Sequence, residues 1–373
     1  MSPAGARPPS GRDERDVPAC PSRFFAVWAL GLAAGIAATA AAEMPALEPH
    51  ARLRLRQVWS EDETTPPRTE ARLRMEAGAS ARWSDTLAAH LAIGTGRFDD
   101  APADAEATFG GGDTDFRLTL RAASIKWRPG GLSSSPCLLA GKLEPPFVRP
   151  SDLVWDDDVR PEGAAAQWQP ATGPFDFFLM SGAFVLRSDG NDHSRWLCSG
   201  QAAVRRRWPD RSWAMAGAGW HVFEGTETDP APGPAESDAT RLDSVEDLRP
   251  LEGFVAGCRE LYFPVQAVLH GVVNPAADRS NTAWLAGIAV GRTRAIRGLE
   301  ASWQWRRVEA NAVAADFAGN EYGGGTDRKE QRWALRYRPA QHVLIGLVAA
   351  REERLGTPRN RQWRFGLELE TEF

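Results

Sequence analysis

Arginine occupies every second position in Arg52-Leu53-Arg54-Leu55-Arg56, and the spacing returns at Arg72 and Arg74. In an extended chain, side chains two apart share a face. The arginines therefore line one side and the leucines the other. Arg117, Arg121, Arg205, Arg207, Arg306, Arg332, Arg336 and Arg364 take the same polar parity in later segments. A guanidinium keeps its proton, so this array does no acid–base chemistry. It can attract anions, pair with carboxylates and hold water. The complementary feature is the run Asp156-Asp157-Asp158. Three carboxylates could ligate a hard cation such as Ca²⁺, but a solvated or pore-facing acidic loop is the commoner arrangement.

Catalytic signals are poor. The six histidines are scattered and none belongs to a His-Glu-x-x-His run. Asp192-His193-Ser194 holds the residue types of a hydrolase triad, yet adjacent residues on an extended loop cannot converge on one another. The clusters Gly110-Gly111-Gly112 and Gly323-Gly324-Gly325 lack the Lys and Ser/Thr of a phosphate loop and read as loop tips. Cys137, Cys198 and Cys258 match no metal spacing and are expected as isolated small residues on strands rather than a disulfide scaffold. No enzyme and no cofactor is expected. A net charge of −5 gives no basic excess for nucleic acid.

The elements that must position these charges are strands. In Asn360 to Phe373, the residues Trp363, Phe365, Leu367, Leu369, Thr371 and Phe373 alternate with Gln362, Arg364, Gly366, Glu368, Glu370 and Glu372. One face is apolar, the other charged, and the chain stops on Phe. That is the pattern of the closing strand of an outer-membrane barrel, apolar toward lipid and polar toward a lumen. Similar segments recur along the chain and count to about 16. Most are long enough for the roughly 9–11 residues that a tilted strand needs to cross a bilayer. Within Phe116 to Trp127 the alternation slips phase, which predicts a bulge near Ala123. Nearly all the 15 tryptophans follow the leader, many near strand ends, as in interfacial girdles.

Residues 1–42 are expected to be an extended n-region and signal peptide. Arg23-Phe24-Phe25 leads into an Ala-rich run ending Ala40-Ala41-Ala42. Residues 43–373 then form an all-β, transmembrane antiparallel β-barrel with short periplasmic turns and long external loops. A guanidinium facing lipid at mid-depth costs about 2–4 kcal/mol, so the thirteen arginines named above should point inward. Taken as unpaired, so many charges demand a wet interior, because burying an unpaired charge is costly. A wet lumen across a membrane is a channel. The loop carrying Asp156, Asp157 and Asp158 is the third external one and is expected to fold in and narrow it.

With strands and loops placed, Asp316-Phe317-Ala318-Gly319-Asn320-Glu321-Tyr322-Gly323-Gly324-Gly325 resembles the late part of the bacterial "putative porin" family. So do Val272-Val273-Asn274-Pro275 and Leu153-Val154-Trp155-Asp156 with Pro161-Glu162-Gly163. Lys329-Glu330-Gln331 departs from the pattern. The resemblance implies an outer-membrane pore and transfers no substrate or site residue. The expectation is a channel for passive diffusion of small hydrophilic solutes or ions. Its partners would be outer-membrane lipids and the barrel-assembly machinery, the latter engaging the C-terminal strand with Phe373 as the signal. A homotrimer is an open expectation with no interface signature. The alternative is a secreted or surface-attached all-β binding protein without a pore.

Overall fold

The computed structural model describes residues 44–62, 66–96, 107–109, 118–130, 135–188, 194–224, 248–315, 317–319, 325–356 and 361–373. The expected leader, Arg117, Asp192-His193 and Gly110-Gly111-Gly112 lie outside them.

Alternation produces strands throughout. In order they are β1 (Ala46–Asp62), β2 (Arg68–Arg82), β3 (Leu87–Thr95), β4 (Ala107–Phe109), β5 (Leu118–Trp127), β6 (Cys137–Lys142), β7 (Glu162–Trp168), β8 (Ala171–Thr172) and β9 (Phe175–Ser188). There follow β10 (Ser194–Arg207), β11 (Trp213–Glu224), β12 (Leu251–Arg259), β13 (Val265–Val273), β14 (Thr282–Gly291), β15 (Leu299–Val308), β16 (Arg328–Ala340), β17 (Val343–Arg354) and β18 (Arg361–Glu372). Each pairs antiparallel with its neighbours, and β18 returns to β1. Short β4 takes over beside β2 where β3 has ended, and two-residue β8 continues β7 beside β9. The barrel wall is thus sixteen staves, the expected number. Long loops leave one end and short turns close the other.

The outward rows are apolar. Leu55, Leu369, Ile345, Tyr337 and Leu299 form one cross-strand row, all exposed. Toward the long-loop end the corresponding row is Trp59, Phe365, Ala349, Trp333 and Trp303. Toward the short-turn end Trp83, Trp168, Phe175 and Phe177 are exposed. A face this apolar, bounded by aromatics at both ends, suits acyl chains and the two headgroup layers.

The phase slip is real but sits two residues earlier than expected. Ala92 pairs with Ala122 while Ile93 pairs with Leu120, so Arg121 is the extra residue. Arg121 and Ala122 are both buried on the inner side. The bulge leaves two sequence neighbours, Arg121 and Ala122, on the inner side and reverses the facing of the residues that follow. Among the cysteines, Cys137 and Cys258 are free and buried, as expected. Cys198 departs from that expectation, being disulfide-bonded.

Closure runs along the β1–β18 seam, from Arg52 opposite Glu372 to Asp62 opposite Gln362. The Ala51 amide donates to the Phe373 carbonyl at 3.1 Å, and the Phe373 amide returns to Ala51 at 2.9 Å. On the inner side, Arg52 pairs with Glu370 at 2.9 Å and Arg56 with Glu368 at 2.9 Å. The Arg56 side chain is fully buried. Arg56→Ala would break this pair on the inner face of the seam, a change expected to cost about 3–5 kcal/mol. On gels, unboiled protein should run apart from boiled protein, and the variant should lose its folded band at a lower temperature than wild type. Identical heat profiles would argue against a seam held by this pair.

Candidate functional site

Residues 143–161 leave the long-loop end and turn into the barrel. The reason is apolar. Leu143, Phe147, Leu153, Val154, Trp155 and Val159 are all buried, and each such side chain gains about 1.5–3 kcal/mol on leaving water. They pack on inward residues of one arc of wall: Met180 and Phe184 of β9, Leu197 of β10, Phe223 of β11, Val272 of β13 and Leu285 of β14. Trp155 is the hub. Its ring stacks on Phe147 at 5.3 Å and meets Phe184, His221 and Phe317 edge-on at 6.5, 5.6 and 5.5 Å.

A second loop enters beside it. Ala312, Val313, Ala314 and Phe317, between β15 and β16, join the same cluster. The Asp156 amide donates to the Phe317 carbonyl at 2.7 Å, and the Gly319 amide to the Asp152 carbonyl at 2.8 Å. A Cβ on Gly319 would lie 2.3 Å from Asp152 Oδ2, so the two loops close on each other only with glycine there.

Polar tethers fix the first loop to the wall. Val148 exchanges both backbone hydrogen bonds with the Gln201 amide of β10, at 2.7 and 3.0 Å. Gln201 also donates to Glu252 of β12 at 2.7 Å. The Glu252 carboxylate accepts from His221 Nε2 at 3.3 Å and His270 Nε2 at 3.0 Å. A carboxylate only accepts, so each imidazole Nδ1 is left to meet a serine hydroxyl: Ser199 at 2.9 Å and Ser151 at 2.8 Å. Ser151 belongs to the inserted loop. Both histidines and Glu252 are about 1% exposed.

The opposite arc, β16–β18 with β1–β5, carries charge. Arg72 pairs with Glu70 at 2.8 Å and Arg336 with Glu300 of β15 at 3.8 Å; on the packed arc, at its short-turn end, Arg205 and Arg207 of β10 pair with Asp176 of β9 at 2.8 and 2.9 Å. Arg306 meets Glu330 at 2.7 Å and Asp152 at 3.4 Å; Arg332 meets the same two at 2.9 and 3.6 Å. Arg364 lies 3.8 Å from Glu352. Arg54 is buried, in register with Glu370 of β18 and Arg74 of β2. The expectation of unpaired guanidiniums is therefore corrected. The inward arginines are matched by inward carboxylates on the same parity, and half the interior is dry and packed.

The three aspartates separate. Asp156 turns back to accept from the Asp158 amide at 3.2 Å. Asp157 is exposed and pairs with Arg149 at 3.0 Å. Asp158 meets Arg74, and its carbonyl accepts from Arg121 at 3.0 Å. Along the strands, Arg54, Arg56, Arg74, Arg121 and Asp158 form a belt between two cavities. One of about 280 Å³, toward the long loops, is lined by Ser60, Asp62, Arg68, Glu70, Arg72 and Arg364. The other, about 490 Å³ and toward the short turns, is lined by His50, Glu76, His90, Ser124, Glu144 and Gln167. His50 and His90 stack there at 5.0 Å across Gly78, where a Cβ would come within 2.7 Å of the His50 ring.

Sequence reasoning missed the Ser151–His270–Glu252–His221–Ser199 chain and the second loop. The signals were present but faint: histidines on inward parity, and the apolar run Ala312-Val313-Ala314-Ala315 inside a loop.

A family model described as "putative porin" matches residues 38–250. Among solved structures the chain is similar to the high-pH structure of Pseudomonas putida OprB, at 11% identity, TM-score 0.59, covering 92% of this chain and 97% of that one. It is similar to Salmonella typhi OmpF in complex with daunomycin, at 11% identity and TM-score 0.54, covering 88% and 97%. It is also similar to a loop L8 deletion mutant of OmpT, an outer membrane protein of Vibrio cholerae, at 12% identity and TM-score 0.52, covering 89% and 100%. At such identities the likeness establishes the fold. No curated protein matches the chain in sequence. With more than half its length matched by the family model and a closed sixteen-stave barrel around inward charges, the chain belongs to the "putative porin" family.

Proposed function

We propose that the protein is an outer-membrane porin, exported with a cleaved leader, that lets small hydrophilic solutes or ions diffuse through a narrowed lumen. The long loops face outside and both termini face the periplasm. The observation that carries this reading is the uneven interior: loops and wall pack one arc dry, while the other arc keeps a charged wall with a cavity on each side of the Arg–Asp158 belt. The charged residues lining those two cavities give water and ions partners on that second arc. The reading also has outer-membrane lipids around the outward rows, the assembly machinery engaging the strand that ends on Phe373, and a homotrimer as the assembly.

Catalysis has no part in it. Two Ser–His pairs do share Glu252, but His221 lies beneath Phe147 and Trp155 and His270 against Phe254, and both histidines and Glu252 are buried. Selectivity would be set at the belt, where rings of side-chain charge decide ion preference. Asp158 offsets Arg74 and Arg121 there.

In planar bilayers the purified protein should give discrete single-channel steps. Their absence would reject the channel. Asp158→Asn should shift the reversal potential in a salt gradient toward anions, and Arg74→Gln toward cations; unchanged values would remove the belt from the selectivity argument. Trp155→Ala removes the hub of the inserted loop, a truncation worth about 3–5 kcal/mol. It should widen the conductance distribution and speed proteolysis within 143–161, whereas wild-type behaviour would mean that the loop is held mainly by its polar tethers.

A further inference from the structure

The cavity toward the short turns is lined by two histidines in contact. His50 of β1 and His90 of β3 point inward on either side of β2 and stack at 5.0 Å, their planes 18° apart. They meet over Gly78, where a side chain would strike the His50 ring. Both are half-buried and face the cavity of about 490 Å³. The other described histidines sit elsewhere. His221 and His270 are about 1% exposed beneath the inserted loop, and His342 lies on a short turn.

Every element around the pair contributes a polar or charged neighbour. On β2, Glu76 stands toward the belt, in register with Arg52 of β1. Toward the short turns, Glu48 of β1 pairs with Arg82 of β2 at 3.4 Å. From β5 come Arg121, 4.0 Å from Glu76, and Lys126, two residues beyond Ser124. The inserted loop brings Glu144 and Arg160, paired at 3.0 Å. Gln167 of β7 completes the wall without charge.

These neighbours hold their charge near neutral pH. Carboxylates ordinarily titrate near pH 4, lysines above about pH 10, and guanidiniums keep their protons. An imidazole ordinarily titrates at about pH 6.5. The variable charge of this cavity therefore belongs to His50 and His90. Two imidazolium charges 5.0 Å apart repel, so the pair takes up its protons in separate steps. Ser80 Oγ lies 3.2 Å from His90 Nδ1. A hydroxyl can donate to that nitrogen or accept from it, so the first proton needs no rearrangement there.

We propose that His50 and His90 are a specificity-determining pair of the channel. As the pH falls from about 8 to about 5 the pair takes a proton from solvent, and the cavity between belt and short turns shifts its preference toward anions. The proposal rests on the channel reading.

The test is the reversal potential of the purified protein in planar bilayers under a potassium chloride gradient, at about pH 8 and about pH 5. The cation-to-anion permeability ratio of wild type should fall at least about twofold. His50→Gln/His90→Gln should hold its ratio nearly constant over the same range, and His342→Gln should follow wild type. A wild-type ratio that does not change, or an equal change in the double variant, would overturn the proposal. Imidazole NMR of the wild-type barrel in detergent gives a second readout that needs no variant to fold. His50 and His90 should titrate in two coupled steps, reduced to one in His90→Gln; no change of charge at either residue across this range would also overturn it. A barrel that conducts at neither pH sinks the channel reading itself, whereas one that conducts with a pH-independent ratio sinks this proposal alone.

Discussion

Closure of the sheet is the constraint on which the rest depends. A backbone polar group facing hydrocarbon has no water to turn to, and an open edge would expose a whole row of them. The β1–β18 seam removes that edge. Its backbone ladder satisfies the main chain, and its inner face adds Arg52–Glu370 and Arg56–Glu368, so both ends of the sequence are committed to one another chemically as well as geometrically. Only within a closed wall do inward and outward parity become different solvents.

Given that wall, the interior is divided rather than uniform. Aromatic and aliphatic side chains from two loops collapse onto β9–β15, while arginines and carboxylates face each other on β16–β18 and β1–β5. The division is a consequence of what each arc presents. Phe184, Leu197, Phe223 and Leu285 cannot be solvated cheaply and recruit Trp155 and Phe317. Arg56 and Arg74 are buried there with opposite charges beside them, Arg56 against Glu368 and Arg74 against Asp158. Asp158 is the point where the two systems meet, since it sits on the inserted loop yet turns to the charged side.

Much of this was legible before any coordinates. Period-two alternation marked the strands and their facing because a barrel wall has two different solvents, and Arg52, Arg54, Arg56 and Arg364 fall where parity put them. The loop of Asp156, Asp157 and Asp158 was singled out for its carboxylates and not for the apolar residues that seat it on the wall. What could not be read was pairing. Parity says that Glu368 and Arg56 share a side, but only the register across more than three hundred residues says that they touch. For the same reason the arginines looked unpaired. The His221–Glu252–His270 chain unites three neighbouring strands, each contributing one unremarkable polar residue. The second loop hid because an apolar run in a long connection resembles a failed strand until a partner surface is known.

The extra residue at Arg121 has a wider meaning. Above it, odd-numbered side chains of β5 point inward; below it, even-numbered ones do, so Ser124 lines the lower cavity and Ile125 faces out. It acts as a frameshift in orientation rather than in reading. Any descendant that loses that one position must exchange the character of every residue from Ala122 to Trp127 at the same step, which ties a single deletion to a block of compensating substitutions and should make this stave slow to change length.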